Sequence, residues 1–129
     1  MRILLFGANG QVGTELRRSL APLGEVVATT RSGTFEDGAR CEVADFDAPE
    51  SLPGLIERVA PDVVVNAAAY TAVDRAESDR DAAFRANADA PARIAVACAA
   101  RGARLVHYST DYVFDGRNAR PYREDDPTL

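Results

Sequence analysis

The chain has no lysine and no tryptophan, a single histidine, a single methionine and only two cysteines among its 129 residues. Every positive side chain is therefore one of fifteen arginines. That excludes Schiff-base chemistry, a phosphate-binding P-loop lysine, and activation of a tyrosine by a neighbouring ammonium. Cys41 and Cys98 are too few and too far apart for a disulfide framework or a zinc site, and no metal site is expected. No apolar run approaches the length, about 18 residues, that spans a bilayer. Met1–Phe6 is too short for a signal peptide and runs straight into a glycine turn, so a reduced, cytoplasmic protein is expected.

What is present reads as globular: 47% of residues are hydrophobic and 27% charged. Twenty acidic residues against fifteen basic ones give a net charge of −5, which disfavours nucleic acid as a partner. The length suits one domain, able to bury about two thirds of the surface its unfolded chain exposes.

Short β-rich runs alternate with helical patterns. Ile3–Phe6 is a continuous apolar run, as in a strand covered on both faces. Val12, Leu16, Leu20 and Leu23 then recur at helical spacing up to Pro22-Leu23-Gly24. Glu25–Thr30 predicts a second strand and Cys41–Val43 a short third. Asp47 and Glu50 form a capping-box pair ahead of a helix with Leu52, Leu55, Ile56 and Val59 on one face. Val63–Val65 predicts a fourth strand. A long helix over Asp79–Arg101 is kinked or split at Pro91, and Leu105–Ser109 predicts a fifth strand. The tail beyond Tyr112 has no periodic pattern. This alternation predicts an α/β fold, a doubly wound parallel sheet of the Rossmann-like class, ending after about its fifth strand. A sheet left open there is expected to self-associate through its edge.

Gly7-Ala8-Asn9-Gly10-Gln11-Val12-Gly13 lies between the first strand and first helix. Glycines there let backbone turn sharply and approach a pyrophosphate at the helix N-terminus. The spacing is G-x-x-G-x-x-G and not G-x-G-x-x-G, and a plain tight strand–helix connection competes with the dinucleotide reading. At the end of the second strand no carboxylate stands ready for a ribose 2′-hydroxyl; Arg31 instead suits a 2′-phosphate, against the alternative of a solvated surface arginine. Asp45-Phe46 could border an adenine, although Asp47 competes for that segment as a helix cap. The small residues Ala67, Ala68 and Ala69 after Asn66 leave room for a flat ligand at the switch point of the sheet, or equally for close helix packing. His107 fits a packed core histidine better than a catalytic one. Tyr70 and Tyr108 fit packing. Asn87 fits a helix interruption ahead of Pro91 and stays outside the site.

Three blocks, Leu4–Gly13, Pro61–Asp74 and His107–Gly116, resemble the dTDP-4-dehydrorhamnose reductases, extended short-chain dehydrogenases/reductases. The resemblance runs through essentially the whole chain. It implies reduction of the C4 ketone of dTDP-4-dehydro-β-L-rhamnose, a nucleotide sugar, with NADPH or NADH. It places Gly7 through Val12 around the pyrophosphate, Asp45 and Phe46 beside the adenine, and Ala67, Ala68 and Thr71 along the cofactor. Thr110 matches the hydroxyl residue that hydrogen-bonds the reacting ketone, with Asp111 and Tyr112 facing the substrate. Read alone, Ser109-Thr110-Asp111 would be a strand-end turn held by its own side chains. Thr30 stands where relatives often carry Asp, which agrees with Arg31 and NADPH.

The family's proton donor is a Tyr followed four residues later by Lys, and no tyrosine here has that partner. The resemblance places the pair just past Leu129, together with the substrate-binding region. Homodimer contacts, linked by Mg2+ in some members, have no identifiable ligands in this sequence. The 129 residues alone are expected to be inactive, with cofactor binding retained weakly. Asp111–Gly116 also resembles a segment of the regulatory subunit of methionine adenosyltransferase, which leaves a non-catalytic NADP-binding subunit as the alternative.

Overall fold

The computed structural model describes residues 1–129. Five strands form one parallel sheet: β1 (Arg2–Phe6), β2 (Glu25–Thr30), β3 (Glu42–Val43), β4 (Val63–Asn66) and β5 (Arg104–His107), in the order β3-β2-β1-β4-β5. This is the doubly wound α/β arrangement that the alternating pattern predicts. All four pairings are parallel, with Ile3 opposite both Val26 and Val63.

The continuous apolar runs are explained by burial on both faces. Along β1, Leu4 and Phe6 join one core and Ile3 and Leu5 the other, as a period of two requires. The first core is closed by α2 (Leu52–Val59), through Leu52, Leu55, Ile56 and Val59, and by α5 (Ala90–Arg101), through Ala90, Ile94 and Cys98. Burial pushes the Cys98 thiol up from its ordinary range. The second core is closed by α1 (Gln11–Leu20), through Leu16 and Leu20. No helix is long and apolar enough to cross a membrane.

Several local expectations change. The first helix ends at Leu20, and Leu23 lies exposed in a following 3-10 turn; Val12 is exposed as well. Asp47 and Glu50 do not cap α2: a 3-10 turn at Pro49–Ser51 leads into it with no side-chain cap. Asp47 is drawn away by two arginines. The long helix is divided into α4 (Arg80–Phe84), a π-helical turn at Arg85–Asp89, and α5, and a further short helix, α3 (Val73–Ala76), precedes it. In that turn the Ala90 N–H reaches back five residues to Arg85, which accommodates Pro91 without a break. β5 stops at His107, short of Ser109, and with only β4 beside it most of its residues are exposed. His107 is one of them, and not a core histidine.

The patternless tail is ordered by polar contacts. Phe114 and Tyr122 stack at 4.3 Å, the Tyr122 hydroxyl donates to Asp115 at 2.7 Å, and Arg120 makes a bidentate pair with Asp126. These bonds hold both carboxyls below the usual carboxylate range.

Candidate functional site

A cleft of about 670 Å3 opens at the carboxyl ends of β1, β2 and β4, where chain order reverses across the sheet. Its size lies within the range of small-molecule sites, about 300–1,000 Å3. One wall is the glycine turn, Gly7, Asn9, Gly10, Gln11 and Val12. A second is Thr30 and Arg31 with Ala44, Asp45, Phe46 and Asp47. The third is the Ala67–Thr71 loop with residues of α3 and α4. Of the residues proposed for the cofactor, all but Gly13 line this one cleft.

The three glycines do different work. Gly7 has φ +74°, and a Cβ there would stand 2.7 Å from the Ala68 nitrogen, so the turn and the β4 loop meet backbone to backbone. Gly13 lies behind the wall and is buried; a Cβ there would sit 1.9 Å from the Gly7 carbonyl oxygen, so its bareness lets α1 close on β1. Gly10 is different. Its backbone is extended, its nearest neighbour to a built Cβ is the Gly7 oxygen at 3.4 Å, and it faces open space. Beyond it α1 starts without a side-chain cap, leaving the first-turn N–H groups for a ligand or water.

The second wall carries the charge. The Arg31 Nη2 is 2.6 Å from Asp47 Oδ2 and its Nε is 3.6 Å from Asp45 Oδ1. Asp47 is shared with Arg85 of the π turn at 3.8 Å. Asp45 also accepts the Asp47 N–H at 2.9 Å. Phe46 meets Phe6 edge to face at 5.5 Å, which ties this wall to the core. Arg31 is thus at the mouth with its guanidinium already held by carboxylates. Thr30 spends its hydroxyl on the 31–34 turn, donating to the Thr34 carbonyl and accepting from the Gly33 and Thr34 N–H groups.

Behind the third wall, Asn87 grips the peptide of Tyr70: the Tyr70 N–H donates to Oδ1 at 2.8 Å, and Nδ2 donates to the Tyr70 carbonyl at 3.1 Å. The sequence leaves this residue outside the site, because a helix interruption explains an Asn there and nothing local points to the Tyr70 peptide. Asp47, which the local pattern marks only as a helix cap, and Tyr70, Arg75 and Asp79 are further wall residues.

Thr110, Asp111 and Tyr112 stand apart from the cleft walls, exposed in a 3-10 turn after β5. The Thr110 hydroxyl accepts the Tyr112 N–H at 3.2 Å and donates to Asp111 Oδ1 over a long 3.4 Å. A second hollow, beside β2, is an open depression in which the Arg17 guanidinium lies 3.6 Å above the Phe35 ring.

A family profile described as the RmlD substrate binding domain matches residues 1–129. The chain is 54% identical over 128 residues to the dTDP-4-dehydrorhamnose reductase of Burkholderia thailandensis, covering 99% of this chain and 40% of that protein. A crystal structure of a dTDP-4-dehydrorhamnose reductase from Clostridium acetobutylicum superposes with a TM-score of 0.86 at 37% identity, over 100% of this chain and 43% of that one. The Bacillus anthracis dTDP-4-dehydrorhamnose reductase, solved in complex with NADP, superposes with a TM-score of 0.84 at 32% identity, over 99% of this chain and 43% of that one. The chain spans about two fifths of the length of these relatives.

Proposed function

The chain belongs to the RmlD substrate binding domain family, that of the dTDP-4-dehydrorhamnose reductases, and on that premise we propose that it forms the NADP(H)-binding part of a nucleotide-sugar ketoreductase. The reaction is reduction of the 4-keto group of dTDP-4-dehydro-β-L-rhamnose to dTDP-L-rhamnose. One observation carries the reading: an uncapped helix N-terminus behind an open glycine faces a cleft at the switch point of a parallel sheet.

NADPH, when bound, supplies the hydride for the C4 carbon. The remaining work falls to the chain. The N–H groups of Gln11 and Val12 meet the pyrophosphate, and Gly10 leaves the space for it to approach. Phe46 and Asp45 flank the adenine. Arg31 exchanges part of its contact with Asp47 for a 2′-phosphate, which would favour NADPH; NADH, lacking that phosphate, leaves the pair intact. Ala67, Ala68 and Ala69 give a flat, small-residue floor. Thr110 is the hydroxyl donor toward the ketone oxygen as negative charge develops there, with Asp111 and Tyr112 toward the sugar. Its bond to Asp111 is long, so redirecting it costs little.

Titration of the chain with NADPH, followed by nicotinamide fluorescence, tests this directly. Saturable binding is expected, weakened by Gly10→Ala. An unsaturable signal for the wild-type chain would overturn the cofactor reading.

A further inference from the structure

The last residue of β4, Asn66, is buried, and its backbone partner in the adjacent strand is His107. The Asn66 side chain makes two bonds in opposite directions. Its Oδ1 accepts the Ala68 N–H at 3.1 Å, inside the loop that floors the cleft. That bond sets which way the amide faces, so Nδ2 points toward β5 and lies 3.1 Å from His107 Nδ1. An amide nitrogen only donates. The His107 Nδ1 is therefore the acceptor in this pair, the arrangement of the tautomer that carries its proton on Nε2.

We propose that His107 is a positioning residue for the cofactor loop, acting through Asn66 on the Ala68 N–H and through Ala68 on Gly7. The proposal rests on the cofactor reading of the cleft. Without an acceptor at His107, the buried Asn66 Nδ2 has no partner in β5. Turning the amide over only sets Nδ2 against the Ala68 N–H, donor facing donor. Either way Ala68 loses its anchor. Ala68 cannot shift alone, because its backbone nitrogen lies against Gly7 so closely that a built Cβ there would be 2.7 Å away. Gly7 in turn opens the glycine turn and accepts the Gly10 N–H at 3.1 Å. A single acceptor on an edge strand thus reaches two walls of the cleft. His107 is also the last residue of β5, three positions before Thr110.

The test compares His107→Leu, which removes the acceptor, with His107→Asn, whose Oδ1 can occupy the place of Nδ1. His107 is exposed on an edge strand, so both variants should fold, and far-UV circular dichroism checks that. Calorimetric titration of the 129-residue chain with NADP+ should show about tenfold weaker binding for the Leu variant, the scale of one lost hydrogen bond, and near-recovery for the Asn variant. In 15N spectra the Ala68 amide and Asn66 side-chain amide should shift in the Leu variant and return in the Asn variant, and the wild-type ring should carry its proton on Nε2. A ring protonated on Nδ1, or a Leu variant with unmoved Ala68 and Asn66 signals, would overturn the proposal. Failure of the wild-type chain to bind NADP+ would instead defeat the cofactor reading, while the spectra still decide the wiring.

Discussion

Asn87 and Tyr70 face one another as amide and peptide, each donating to the other and accepting from it. The pair ties the π turn at Arg85–Asp89 to the loop that floors the cleft, and the pattern of donors is what makes it testable. Asn87→Ala should lower stability by about 1 kcal/mol, since water reaches both groups. Asn87→Asp should depend on pH. An ionised carboxylate can still accept the Tyr70 N–H but repels the Tyr70 carbonyl, whereas a protonated carboxyl remakes both bonds. Because the neutral form is the one favoured, the new carboxyl's folded-state pKa lies above its unfolded value of about 3.9. The deficit is then present at neutral pH and fades as pH falls through the raised pKa. Thermal midpoints of the wild type, Asn87→Ala and Asn87→Asp across acidic pH check this. A constant gap between wild type and the Asp variant would contradict it.

Gly13 and Gly10 separate packing from binding. At Gly13 a methyl would overlap the Gly7 carbonyl oxygen and push α1 off β1, so Gly13→Ala should cost about 1–3 kcal/mol of stability. At Gly10 a methyl meets no more than an ordinary contact, so Gly10→Ala should fold normally and lose about tenfold in NADPH affinity. Thermal melts paired with NADPH titrations distinguish the two. Equal melting losses for both variants would show that the glycines share one structural role.

The contrast between these glycines also marks what a sequence can disclose. β1 and β4 were legible because burial on both faces writes a continuous apolar run, and α2 because its inward face repeats every three to four residues. The glycine turn was legible because it sits between a strand and a helix. Other features depend on partners far along the chain. Asp47 looks like a helix cap until Arg31 and Arg85, 16 and 38 positions away, claim its carboxylate. His107 looks like a core residue because its strand is apolar, yet exposure follows from β5 having a neighbour on one side only. Asn87 gives no hint that its partner is the Tyr70 peptide. Local periodicity records burial well and records side-chain pairing across the fold hardly at all.

Arg31 and Asp47 set up a prediction about cofactor choice. A 2′-phosphate must compete with Asp47 for the guanidinium, at a contact now 2.6 Å long. Arg31→Glu should weaken NADPH at least about tenfold more than NADH. Asp47→Asn should do the reverse, tightening NADPH relative to NADH by removing a carboxylate from the phosphate's neighbourhood. Parallel titrations with both nucleotides at fixed ionic strength give the two ratios. If neither substitution changes the NADPH-to-NADH ratio, the pair plays no part in selection.

Catalysis by these 129 residues meets an obstacle that follows from their composition. Hydride delivery leaves negative charge on the ketone oxygen, and completing the alcohol needs a proton. A tyrosine can give one near neutral pH only if a cation draws its pKa down from about 10. Four residues after Tyr70 and Tyr122 stand Asp74 and Asp126; after Tyr108 and Tyr112 stand Tyr112 and Gly116. None is a cation. The Tyr122 hydroxyl is moreover already donated to Asp115 at 2.7 Å. The chain should therefore bind NADPH without turning it over. Absorbance of the nicotinamide, followed with dTDP-4-dehydrorhamnose in excess, should stay at the protein-free baseline. Steady oxidation matched by dTDP-rhamnose formation would show that a proton donor other than a lysine-paired tyrosine serves this fold.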